Sequence, residues 1–135
     1  MKTLPDKPSE LIRLAVRDLE KIEGDGRYQI CMAQWHFPVE NGPCLVCLAG
    51  AVMSRTLGAG DREVRFPLSF GKRNAGRLLA LESLARGGFR EAFSRMDIEA
   101  APPLMDYGML PYREDPEQFK ADLLTVADYF EEGGF

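Results

Sequence analysis

Ten consecutive residues, Cys44-Leu45-Val46-Cys47-Leu48-Ala49-Gly50-Ala51-Val52-Met53, carry neither a charge nor a polar group stronger than a thiol. A segment that is apolar all round must be wrapped by the rest of the fold, because it has no face to leave in water. Asn41-Gly42-Pro43 ahead of it forms a turn with proline at a helix start, and Arg55 and Gly58 close it. Proline, glycine and length together predict a buried central helix, in which Ala49, Gly50 and Ala51 let neighbours approach closely. Periodicity alone does not separate such a run from a buried strand.

The segments available to wrap it are mostly helical. Pro8 suits a first helical position, Glu10 faces the positive dipole end, and Leu11, Ile12, Ala15, Val16, Leu19 and Ile22 recur along one face until Gly24-Asp25-Gly26. At the other end, Asp115-Pro116-Glu117-Gln118 supplies an N-cap, a proline at the first position and a capping-box partner three residues on. Phe119, Leu123, Val126, Ala127 and Phe130 make that helix's apolar face, while Glu131 and Glu132 oppose its negative end and predict fraying there. Ser69 or Asn74 is placed to cap a further helix carrying Leu78, Leu79, Leu81, Leu84 and Ala85, stopped by Gly87-Gly88. A short amphipathic segment with Phe89, Ala92, Phe93 and Met96 follows it.

Strand signals are weak. Tyr28, Ile30 and Met32 alternate with Gln29 and Cys31, and the one other candidate, Glu63 to Phe66, is short and charged. The expected fold is mainly α: residues 1–135 form one helical domain, a compact bundle of about four to five helices around the buried central helix. At most a minor two-stranded hairpin accompanies it.

Length and composition are those of one globular domain, with 135 residues, 45% apolar and 28% charged. The apolar run Pro43 to Met53 is too short to span a bilayer, which needs roughly 18 residues. The segment Met1 to Pro8 is polar and proline-punctuated, with no apolar signal core, and three cysteines do not make a disulfide framework. Reduced thiols in the cytoplasm are therefore expected. A net charge of −4 argues against a general nucleic-acid binder. Charge is nevertheless segregated. Lys72, Arg73, Arg77, Arg86, Arg90 and Arg95 face only Glu82 and Glu91 between residues 72 and 95, whereas residues 97–135 are strongly acidic. Two surfaces of opposite sign that attract within the fold or across a homodimer account for this pattern.

One cluster invites chemistry: Cys31, His36, Cys44 and Cys47. Thiolate and imidazole are zinc's preferred ligands, and a C-x-x-C pair at a helix start is a common half-site where the dipole favours the thiolate. Pro43-Cys44-Leu45-Val46-Cys47 also matches half of the zinc-deaminase signature, but Pro38 stands where that signature needs glutamate. Thioredoxin-like chemistry needs a βαβ setting that this reading does not offer. The plainer account is that the cysteines are small core hydrophobes and His36, between Trp35 and Phe37, is a packed histidine. Ser54, Ser69, Ser83 and Ser94 sit in no nucleophile motif.

Trp35-His36 followed by the run Cys44 to Met53 resembles small uncharacterised proteins encoded by phages and prophages. That resemblance implies an intracellular accessory protein and carries no activity or site residues. The resulting expectation is a non-enzymatic protein that binds a protein partner or itself, with no cofactor; a small zinc protein built on Cys31, His36, Cys44 and Cys47 is the alternative. Candidate contact residues are Met105, Tyr107, Met109 and Tyr112 in a proline-broken loop, and Lys72, Arg73 and Arg77 in the basic stretch.

Overall fold

The computed structural model describes residues 2–95 and 110–135. In chain order the elements are α1 (Pro8–Glu23), β1 (Tyr28–Ile30), β2 (His36–Pro38), β3 (Cys44–Val46), α2 (Leu48–Arg55), a 3-10 turn (Pro67–Phe70), α3 (Lys72–Ala85), α4 (Phe89–Arg95) and α5 (Pro116–Glu132). Helices α1 and α5 pack together, α2 packs on α1 and α3, and a small sheet meets α1 through β1 and α2 through β2 and β3.

Both terminal helices follow their periodicity. Leu11, Ile12, Ala15, Val16, Leu19 and Ile22 are buried on α1, and Phe119, Leu123, Val126, Ala127 and Phe130 on α5. Pro8 opens α1, and the Asp115 carboxylate accepts the Gln118 N–H at 3.0 Å to open α5. The reciprocal half of the capping box does not form, because the Gln118 side chain turns to Asp122 at 2.8 Å. Glu131 lies inside α5, its carboxylate held by Arg13 at 2.7 Å, which offsets the unfavourable dipole end.

The expectation of a helical bundle with at most a two-stranded hairpin is corrected: the fold is mixed α and β. Three strands form one mixed sheet in the order β1-β3-β2, with β1 parallel to β3 and β2 antiparallel to it. The error lies in the apolar run. Its first residues, Cys44 to Val46, are the central strand, and only Leu48 to Arg55 are helix. Cys44 and Val46 face the core while Leu45 lies on the outer face beside Gln29 and Phe37, but Leu45 is apolar too, so the run shows no alternation that would mark it as a strand. Pro43 precedes a strand, and the helix start is marked instead by Cys47, whose Sγ accepts the Gly50 N–H at 3.4 Å. Glu63 to Phe66 does not pair with β1 as a hairpin. It runs beside β2, where the Arg65 N–H donates to the His36 carbonyl at 3.1 Å.

Tight approach at the small residues of α2 does occur, although the neighbour is a loop. Gly50 lies so close to the Trp35 carbonyl that a Cβ there would sit 1.8 Å from its oxygen. The 31–35 loop can therefore lie directly on α2, which fixes β2 and its histidine over the helix.

Candidate functional site

The Cys–His cluster is positioned by the sheet. In the β2–β3 register His36 opposes Val46 and Pro38 opposes Cys44, so His36 and Cys44 are diagonal neighbours on the face that looks toward α2. Cys44 Sγ lies 3.7 Å from His36 Nδ1, and the imidazole is 1% exposed. Neither Cys31 nor Cys47 joins this pair. Cys31 is half-buried just past β1, and Cys47 turns into the first turn of α2. Among the described residues, no group of three or more His, Cys, Asp or Glu side chains is arranged to hold a metal ion.

His36 has both ring nitrogens engaged. Nδ1 lies 2.7 Å from the Glu63 carbonyl oxygen, which only accepts, so Nδ1 carries the proton. In the neutral ring Nε2 is then the acceptor for the Ser54 hydroxyl, 2.8 Å away. Burial pushes the His36 pKa below its ordinary value, which favours this neutral form. The imidazole thereby ties three segments together: β2, the end of α2 and the strap around Glu63.

Ser54, His36 and the Glu63 carbonyl are spaced like a nucleophile, a base and an orienting group. The surroundings do not complete such a site. Ser54 occupies the last turn of α2, at the negative end of its dipole, and the nearby N–H groups of Thr56, Leu57 and Ala59 are spent on the Val52 and Met53 carbonyls. Ser54, His36 and Glu63 lie far apart in the chain and in no motif, so no sequence signal could have joined them.

The thiols depart from the expectation that a helix start acidifies them. Cys47 accepts a backbone N–H as N-cap of α2, yet burial outweighs that bond and pushes its thiol up to about 11. Burial raises Cys44 as well. Such thiols stay protonated and unreactive at neutral pH. A groove of about 490 Å³ opens beside Cys47, lined by Met32, Gln34, Trp35, Glu82 and Arg86. Its charged groups already pair with each other as Glu82–Arg86.

The proposed contact residues divide. Met105, Tyr107 and Met109 lie outside the described residues. Tyr112 stacks edge-on against Phe119 and donates its hydroxyl to Glu23, so it serves the junction of α1 and α5. Among the described residues, no ion pair joins the basic stretch to the acidic C-terminal segment. Arg73 and Arg77 hold Asp6, while Arg86 and Arg95 pair with Glu82 and Glu91 on their own helices. The acidic α5 is matched by Arg13, which takes Asp128 at 2.8 Å and Glu131 at 2.7 Å. Lys72 is exposed at the start of α3.

No family model, no curated protein and no solved structure matches this chain. Among the described residues, no helix is long and apolar enough to cross a membrane.

Proposed function

We propose that this chain works without catalysis, as a cytoplasmic accessory protein of phage-like kind that acts through protein contact, and first of all through self-association. The observation that carries this reading is an apolar surface along the strap that follows α2. Phe37 is 46% exposed, Val64 51%, Phe66 57% and Leu68 77%. The Arg65 N–H bond to the His36 carbonyl brings the strap that carries Val64 and Phe66 alongside β2, the strand that carries Phe37, although the two are far apart in sequence. Clustered exposed apolar groups on a folded domain mark contact surfaces, and aromatic residues are enriched there. Three free cysteines, two of them fully buried, suit a reducing compartment.

Sedimentation velocity from micromolar to near-millimolar protein tests this. The wild type should dimerise with rising concentration, and Phe66→Asp with Leu68→Asp should abolish the dimer while leaving the circular dichroism spectrum unchanged. A wild type that stays monomeric throughout, or a dimer indifferent to both substitutions, overturns the assignment.

A further inference from the structure

On a different face, residues 2–6 are held against the start of α3 by Asn74, Arg73 and Arg77. The Asn74 side chain reads their backbone on both sides of Thr3. Its Oδ1 accepts the Leu4 N–H at 2.9 Å, and its Nδ2 donates to the Lys2 carbonyl at 2.9 Å. In an extended chain, the carbonyl of one residue and the N–H two residues on point to the same side. A primary amide that bridges them takes the place of a neighbouring strand. The second Nδ2 hydrogen goes to the Phe70 carbonyl at 3.1 Å, so the orientation of the amide is settled by its partners. Leu4 enters the core at 2% exposure, and Asp6 meets Arg73 and Arg77. Backbone, aliphatic anchor and acid are thus read at three points.

Residues 2–6 do not exhaust this site. Two guanidinium groups face one carboxylate, and both bonds end on the same oxygen, Asp6 Oδ1. Arg77 Nε is buried without a hydrogen-bond partner, an uncommon state for a donor in a folded protein. A guanidinium fork accommodates a second carboxylate oxygen, which Asp6 does not supply. Leu4 is moreover the one fully buried side chain between Lys2 and Asp6, so this segment is held by few contacts.

We propose that Asn74, Arg73 and Arg77 at the start of α3 form a recognition site for an extended acidic peptide, with an aliphatic residue followed two positions later by a carboxylate, and that residues 2–6 occupy it in cis as a competing strap. The incoming peptide places its second carboxylate oxygen on Arg77 Nε. Because the strap competes at the high effective concentration of a tethered ligand, loosening it raises the apparent affinity for the peptide. This site is independent of the apolar surface around Phe66, and a failure at either leaves the other standing.

Fluorescence polarisation with a labelled copy of residues 2–7 tests the proposal on the full-length chain. Leu4→Ser with Asp6→Asn releases the strap, and circular dichroism checks that this variant is folded. It should bind the peptide at least about tenfold more tightly than wild type does. An asparagine in place of the peptide's aspartate, or Arg77→Gln in the protein, should weaken binding by about two- to fivefold, the value of a solvent-exposed charge pair. A glutamate in that place should bind at least as well as aspartate. Asp6→Asn alone, which changes an exposed carboxylate, repeats the test should the double variant unfold. A folded released chain with no saturable binding up to millimolar peptide, or binding indifferent to the peptide's acid, overturns the proposal.

Discussion

Replacing Gly50 by alanine would ordinarily help a helix, since alanine is favoured over glycine in a helix interior by about 1 kcal/mol. Here the new methyl meets backbone. Its carbon would lie 1.8 Å from the Trp35 carbonyl oxygen, 3.0 Å from the Trp35 carbonyl carbon and 2.9 Å from Val46 Cβ. Comfortable carbon contacts begin at about 3.5 Å, so α2 and the 31–35 loop must part by roughly 1.5 Å. Neither yields easily, because α2 is packed against α1, α3 and the sheet. Overpacking a core costs about 1–3 kcal/mol, and a clash with backbone places this site at the upper end, so a net loss of about 2 kcal/mol is expected after the propensity gain. Gly76, inside α3, is the matched control: a Cβ there has no neighbour within 4 Å. Gly76→Ala should stabilise the protein by about 0.5–1 kcal/mol. Urea unfolding followed by far-UV circular dichroism and by Trp35, the sole tryptophan, measures both variants. If the two differ by less than about 1 kcal/mol, the close approach at Gly50 does not constrain the fold and the reasoning fails.

His36 is the chain's one histidine, so its titration can be followed alone by NMR. Burial keeps its folded pKa below 6.5, the unfolded chain therefore binds the extra proton first, and stability should fall as pH drops below 6.5; a midpoint at or above that value refutes the buried neutral ring. Native thiol labelling at mildly alkaline pH should modify Cys31 quickly and leave Cys44 and Cys47 to react only on unfolding; rapid loss of all three thiols contradicts their burial. Alanine at Cys44 should cost about 1–2 kcal/mol as a small cavity, and native mass spectrometry checks the zinc alternative, since an ion lost on that substitution would reinstate it. Lys120, its side chain 9% exposed, bridges Glu23 at 2.7 Å and Glu117 at 2.9 Å. Lys120→Met should cost about 1–3 kcal/mol in thermal or urea unfolding, and an unchanged stability would show that the bridge contributes nothing.

Amphipathic periodicity and end signals by themselves determined α1 and α5, because each is a local property: one face recurs every three or four residues, and Pro8 or Asp115-Pro116 marks the start. The need to bury Cys44 to Met53 was equally readable, since no arrangement can leave that run in water. Its division into β3 and α2 was decided only by tertiary structure. Cys44 to Val46 becomes strand because β1 and β2 flank it and satisfy its backbone, and an all-apolar run has no period to announce that. The same limit hid the pairing of His36 with Ser54 and Glu63, which are 18 and 27 residues away, and of Asn74 with Leu4, which is 70 away. It also hid the destinations of Arg73 and Arg77, whose charge was visible but whose partner, Asp6, was not. Composition and spacing specify which groups must be buried or paired. Which partner each one finds depends on how the elements pack, and that is set by edges, registers and close approaches that no short stretch of the chain contains.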